Sequence, residues 1–137
     1  MWILPQVDSR EMPALALAYI GDAVYELYVR GYLVSKGMRK VQKLHEQASG
    51  LVRASQQASF IRLLDTLLTE EERDVARRGR NAKSGHVPKN AEMLEYRLST
   101  AFEALLGYLF LQRREERIKE LMEHLFTLHE AEISETI

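Results

Sequence analysis

Leu15-Ala16-Leu17-Ala18-Tyr19-Ile20-Gly21-Asp22-Ala23-Val24-Tyr25 is an apolar run interrupted by one carboxylate. It shows no period-two alternation and outruns an ordinary strand, so it reads as a largely buried helix. A second run has the same character: Ala101-Phe102-Glu103-Ala104-Leu105-Leu106-Gly107-Tyr108-Leu109-Phe110, with Glu103 as its one acid. An ionised carboxylate in apolar surroundings is costly unless a cation or hydrogen-bond donors compensate it. Two such acids on two helices point to a shared compensator, and a divalent metal with hard oxygen ligands is the simplest. Each acid also has a local reading. Asp22 fits a turn after Gly21, and Glu103 fits the last place of a capping box begun by Thr100.

Around these runs the chain reads as all-α. No proline lies between Pro13 and Pro88, and no stretch alternates as a half-buried strand does. Asp8 or Ser9, with Pro13 close behind, fits the start of a first helix, and Gly31 fits its end. A second helical region covers about residues 38–68. Val41, Leu44, Ala48, Leu51 and Val52 form its apolar stripe, and Gly50 marks a kink or break. Thr69-Glu70-Glu71-Glu72 is a capping-box start, with Gly79 as C-cap. Residues 80–90, with Gly85 and Pro88, read as a loop. Helix resumes near Ala91, with a break at Ser99, and runs to about Gln112; an amphipathic helix over about 115–129 follows. Tyr19, Tyr25 and Tyr28, with Trp2, read as core or intersubunit contacts. His45, His86, His124 and His129 show no ligand spacing.

The 137 residues make one domain, long enough to bury a core without staples. There is no cysteine, which excludes structural disulfides and thiolate zinc sites and suits a reducing cytoplasm. The longest uncharged run, Met12 to Gly21, is too short to span a bilayer, and Asp8, Arg10 and Glu11 interrupt any leader-like pattern. A net charge of −1 conceals an asymmetry: from Val75 to Ala91 there is no acid, while Arg77, Arg78, Arg80, Lys83 and Lys89 fall there with His86. Cations beside a glycine-containing loop suit phosphate contacts; a solvated loop is the plain alternative.

Ile20-Gly21-Asp22-Ala23-Val24-Tyr25-Glu26-Leu27 resembles the signature helix of the ribonuclease III family, usually written LEFLGDAVLEL. Thr100-Ala101-Phe102-Glu103-Ala104-Leu105-Leu106-Gly107 resembles that family's second motif, usually ADAFEALIGA. Arg78-Gly79-Arg80-Asn81-Ala82-Lys83-Ser84, Glu95-Tyr96-Arg97 and Tyr19 before the Gly-Asp pair are similar to the short bacterial subfamily, which lacks a double-stranded-RNA-binding domain. The resemblance covers about residues 14–126. It implies one ribonuclease III-like helical bundle over 1–137 and a magnesium-dependent, homodimeric endonuclease of double-stranded RNA that matures the ends of 23S ribosomal RNA precursor. It carries catalysis and metal binding onto Asp22 and Glu103, and RNA binding onto Arg77, Arg78, Arg80, Asn81, Lys83 and Lys89. A ribosomal protein or preribosomal particle is a possible presenter of the substrate.

The departures matter too. Full-length members carry acids four and seven residues before the Gly-Asp aspartate, where this chain has Ala18 and Leu15, and three before the second-motif glutamate, where it has Thr100. The thinned set favours one largely hydrated magnesium, completed by substrate phosphate. It also leaves open a catalytically silent RNA-binding or ribosome-assembly module on the same fold. A helical interaction protein without an RNA role would have no use for the basic window. Glu26, one turn after Asp22, reads as an ion-pair partner.

Overall fold

The computed structural model describes residues 6–83 and 92–136, and among them there are helices and turns with no strand. A 3-10 turn, Ser9–Glu11, is capped by Asp8, whose carboxylate accepts from the Arg10 amide at 3.0 Å. Six helices follow: α1 (Ala14–Ser35), α2 (Val41–Val52), α3 (Ala54–Leu64), α4 (Glu70–Asn81), α5 (Met93–Leu111) and α6 (Glu115–Thr136).

The expected capping box opens α4. Thr69 Oγ1 accepts from the Glu72 amide at 3.1 Å, and the Glu72 carboxylate accepts from the Thr69 amide at 2.9 Å. Other boundaries differ from the sequence reading. Gly31 lies inside α1; the helix ends at Ser35, and Gly37 just beyond it takes φ +93°, a backbone state open to glycine at little cost. The break between α2 and α3 falls at Arg53, extended at φ −65° and ψ 153°, and not at Gly50. Gly79 is interior to α4. α5 passes Ser99 unbroken, because the Ser99 and Thr100 hydroxyls donate back to the Tyr96 carbonyl at 2.8 and 3.0 Å and stay compatible with helix. Thr100 therefore stands in mid-helix, which removes the capping-box reading of Glu103. α5 begins at Met93, and α6 continues past His129 to Thr136. Trp2, Gly85, His86, Pro88, Lys89 and Ala91 lie outside the described residues.

α5 is the axis of the bundle. Its residues 99–109 are all buried except Glu103, which is half-buried, so the helix is apolar on every side and needs neighbours on every side. α1, α3 and α4 supply them. Tyr25 of α1, Phe60 of α3 and Phe102 of α5 meet edge to face, with the Tyr25 and Phe102 ring centres 5.0 Å apart. The Tyr25 hydroxyl donates to the Leu51 carbonyl at 2.5 Å and so holds the end of α2. Ile118, Leu121 and Leu125 of α6 close the core.

Two glycines decide how α1 crosses α5. A Cβ on Gly21 would lie 1.7 Å from the Glu103 carbonyl oxygen, and one on Gly107 would lie 1.9 Å from that of Leu17. The two backbones are therefore in direct contact. α4 makes a similar approach, since a Cβ on Gly79 would come 2.9 Å from the Ala104 Cβ.

Candidate active site

Direct contact between Gly21 and the Glu103 peptide puts the next residue of α1, Asp22, alongside the Glu103 side chain. The two carboxyl groups are close enough to share a hydrogen bond. Their settings differ. Glu103 is half-buried, whereas Asp22 is exposed, contrary to its reading as a buried acid. Its helix is buried along Leu17, Gly21, Val24 and Tyr25, and Asp22 stands on the rim of that stripe. Burial is the main cause that raises the Glu103 carboxyl, followed by the Asp22 charge and their hydrogen bond; it is pushed up to about 8 against a pull from Gln57. No arginine or lysine among the described residues enters that balance.

The donor set fits a hard divalent cation. Two carboxylates from facing helices converge without a side-chain cation among the described residues, and burial, then the Asp22 charge, makes the half-buried one favour its neutral form. No group of three or more His, Asp or Glu side chains gathers among the described residues, so further coordination positions would be left to water and substrate. Ala18 is buried and Thr100 is committed to the Tyr96 carbonyl, so neither adds a charged ligand. Glu26 pairs with Arg30 at 2.9 Å on the surface, as an i,i+4 partner.

Arg77 and Arg80 are not gathered at the carboxylates. Arg77 and Arg80 line a cleft of about 440 Å³ between α3 and α4, together with Arg62 and Arg73, over Leu98 and Ala101. Ala101 and Glu103 are two residues apart, about 200° around α5, so this cleft lies on the opposite flank from the acids. Arg78 donates to the Met12 carbonyl at 2.9 Å and pins the entry to α1. Arg77 also pairs with Asp74 at 3.3 Å. Asn81 and Lys83 are exposed at the end of α4. Arg62 and Arg73 escaped the sequence reading because they lie outside the acid-free window. Gln57 escaped it too, although an amide three and four residues before Phe60 and Ile61, on their helix face, is a readable signal.

The model of the Ribonuclease III domain matches residues 15–114. The chain belongs to the ribonuclease III family. It is 49% identical over 117 residues to the Mini-ribonuclease 3 of Enterococcus faecalis, covering 84% of this chain and 89% of that one. Against the Mini-ribonuclease 3 of Clostridium tetani it is 45% identical over 124 residues, with 90% and 82% covered. An X-ray structure of a Fusobacterium nucleatum protein superposes with a TM-score of 0.78 at 29% identity, covering 88% of this chain and 96% of that one. The protein is thus an endoribonuclease of the ribonuclease III family, whose substrate class is double-stranded RNA and whose chemistry implies a divalent metal. No helix among the described residues is long and apolar enough to cross a membrane.

Proposed function

We propose that this ribonuclease III-family chain is a magnesium-dependent endonuclease that trims the 5′ and 3′ ends of 23S ribosomal RNA precursor, with Asp22 and Glu103 as its catalytic carboxylates. The observation that carries the reading is the acid pair, uncompensated by any cation among the described residues and held together where the backbones of α1 and α5 touch. The ribosomal substrate is drawn from the resemblance to the short subfamily.

Asp22 and Glu103 would hold the cation. The chemistry it supplies when bound is activation of a water molecule and neutralisation of charge on the attacked phosphodiester. The chain's own part is to fix the acids and manage one proton. Glu103 favours its protonated form near neutral pH while uncompensated and would lose that proton to solvent on binding a cation. The exposed side of Asp22 leaves the pair open to a bulky substrate.

The proposal includes a homodimer. One protomer has one acid pair and addresses one strand, whereas a two-fold pairing sets two pairs across an antiparallel duplex. An unpartnered apolar groove of about 720 Å³ supports it, lined by Ile20, Leu27 and Tyr28 of α1 with Ile118 and Met122 of α6. Leu27 is 53% exposed and Tyr19 81%, on a helix otherwise rich in core residues.

The test is cleavage of a duplex RNA and a single-stranded control, with magnesium and with chelator. Asp22→Asn and Glu103→Gln keep size and shape and remove the charge. Each is expected to lower duplex cleavage by about a thousandfold or more, a drop of at least about 4 kcal/mol in transition-state stabilisation. Parental turnover by either variant would sink the assignment.

A further inference from the structure

Gln57 is 3% exposed on α3, on the face that also carries Phe60 and Ile61. A buried primary amide is costly unless its donors and acceptor are used. Its Nε2 donates to the Val52 carbonyl at 2.8 Å, at the last residue of α2. The side chain also approaches the Glu103 carboxyl and favours its ionised form. Its Oε1 is buried and has no partner among the described residues. The carbonyl just before, Leu51, accepts from Tyr25, which stands three residues after Asp22. Side chains beside both acids thus grip the same corner between α2 and α3.

We infer that Gln57 is the positioning residue for Glu103: its amide, fixed by the Val52 carbonyl, holds the Glu103 carboxylate toward Asp22 and so sets how tightly the pair takes a divalent cation. The inference rests on the reading of Asp22 and Glu103 as the cation-holding pair. The chemistry explains the residue type. The amide offers two N–H groups, enough for one fixed carbonyl and one carboxylate. A leucine or methionine would leave Glu103 with no donor from α3, and a glutamate would add a third negative charge. The unpartnered Oε1 fits the same place, since a hydrated cation held by Glu103 would bring O–H donors, which no described residue supplies. A purely structural amide, present only to cap α2, would need neither the approach to Glu103 nor the spare oxygen.

The test uses the full chain and Gln57→Met, which matches length and volume. Two quantities are read: the magnesium concentration that half-maximally raises the unfolding temperature at pH 7, and kcat and KM on a duplex RNA. Residues that orient metal ligands typically change metal affinity or activity by about ten- to a hundredfold when replaced. The expected result is a magnesium midpoint raised about tenfold and a kcat lowered about tenfold, with KM for RNA within about twofold of the parent. A lower unfolding temperature in chelator, with unchanged magnesium midpoint and kcat, would assign Gln57 to the α2 corner alone and overturn the inference. Should Gln57→Met fail to fold, Gln57→Asn keeps an amide too short to serve both partners and is judged by the same criteria. Asp22→Asn in the same series separates the two claims. Loss of cleavage there with a parental Gln57→Met removes only the role of Gln57, whereas parental cleavage by Asp22→Asn removes the site and the inference together.

Discussion

Glu72 and Glu103 are both acids drawn into helix packing, and their company is opposite. Glu72 is 2% exposed. Arg117 of α6 grips both its oxygens at 2.8 Å, the Thr69 amide adds a bond at 2.9 Å, and Arg117 also donates to the Leu67 carbonyl. Burial pushes the Glu72 carboxyl up, but the Arg117 and Thr69 hydrogen bonds outweigh it and hold it below the usual range. Burial raises Glu103 too, but its neighbour is an anion, and among the described residues only Gln57 stands on the other side of the balance. The acid that joins α4 to α6 is given a cation by the chain. The acid facing Asp22 is given none by the described residues.

Removing the cation from Glu72 should have the largest effect. Arg117→Met leaves a buried carboxylate unpaired and is expected to cost about 3–5 kcal/mol in urea unfolding. A loss under about 1 kcal/mol would mean that Glu72 escapes to solvent or takes up a proton, and the contrast with Glu103 would fail. Next comes the spacing of the acid pair. Gly21→Ala drives a methyl group into the Glu103 carbonyl and should cost about 1–3 kcal/mol or more. Since a misplacement of about 1 Å can cost a hundredfold in rate, cleavage should fall at least that far while helix content by circular dichroism is retained. Near-parental turnover would show that the helices separate without disturbing the acids.

The smallest effect has the opposite sign. Without metal at pH 8, Glu103→Gln should stabilise the fold by on the order of 1–3 kcal/mol, because an ionised acid is no longer forced beside Asp22. The pH dependence distinguishes the two acids. Glu103 is raised from 4.5 to about 8, so the folded state holds its proton more firmly, and metal-free stability falls as pH rises between those values. Glu72 is lowered, so its contribution is present above 4.5 and is lost as pH falls through its depressed folded value. Stability in chelator, followed from about pH 2 to about pH 9, should therefore decline above about pH 4.5 in the parent and not in Glu103→Gln, while both decline below it. Saturating magnesium should flatten the parent's alkaline decline, since cation binding favours the ionised form. An equal alkaline decline in both proteins would assign it to another group.

What the sequence made legible follows from what glycine and acids can signal locally. The helices were readable because apolar residues without alternation, few prolines and one capping box all agree. Their ends were not, because Gly31, Gly50 and Gly79 each resemble a terminator and each lies inside a helix. Glycine can serve a positive φ, a close approach or neither, as Gly31 does, and one sequence does not say which. Gly37 is the first kind; Gly21, Gly79 and Gly107 are the second. Asp22 and Glu103 stood out because acids in apolar runs demand an explanation. The exposure of Asp22 was hidden, since the rim and centre of a buried stripe carry similar neighbours. The cleft formed by Arg62, Arg73, Arg77 and Arg80 depends on the packing of α3 beside α4, which no local spacing records.

The contact between Gly21 and the Glu103 peptide works as a fixed gauge. Peptide against peptide has no rotamers, so the gap between the helices bearing Asp22 and Glu103 does not depend on how neighbouring side chains repack. Core residues elsewhere can exchange volume over long stretches of sequence change without reopening that gap. A designer can likewise rebuild the outer faces of α1 and α6 while the spacing of the acids stays set. The tolerance of this catalytic unit to drift is concentrated in two atoms that are absent, the Cβ of Gly21 and the Cβ of Gly107.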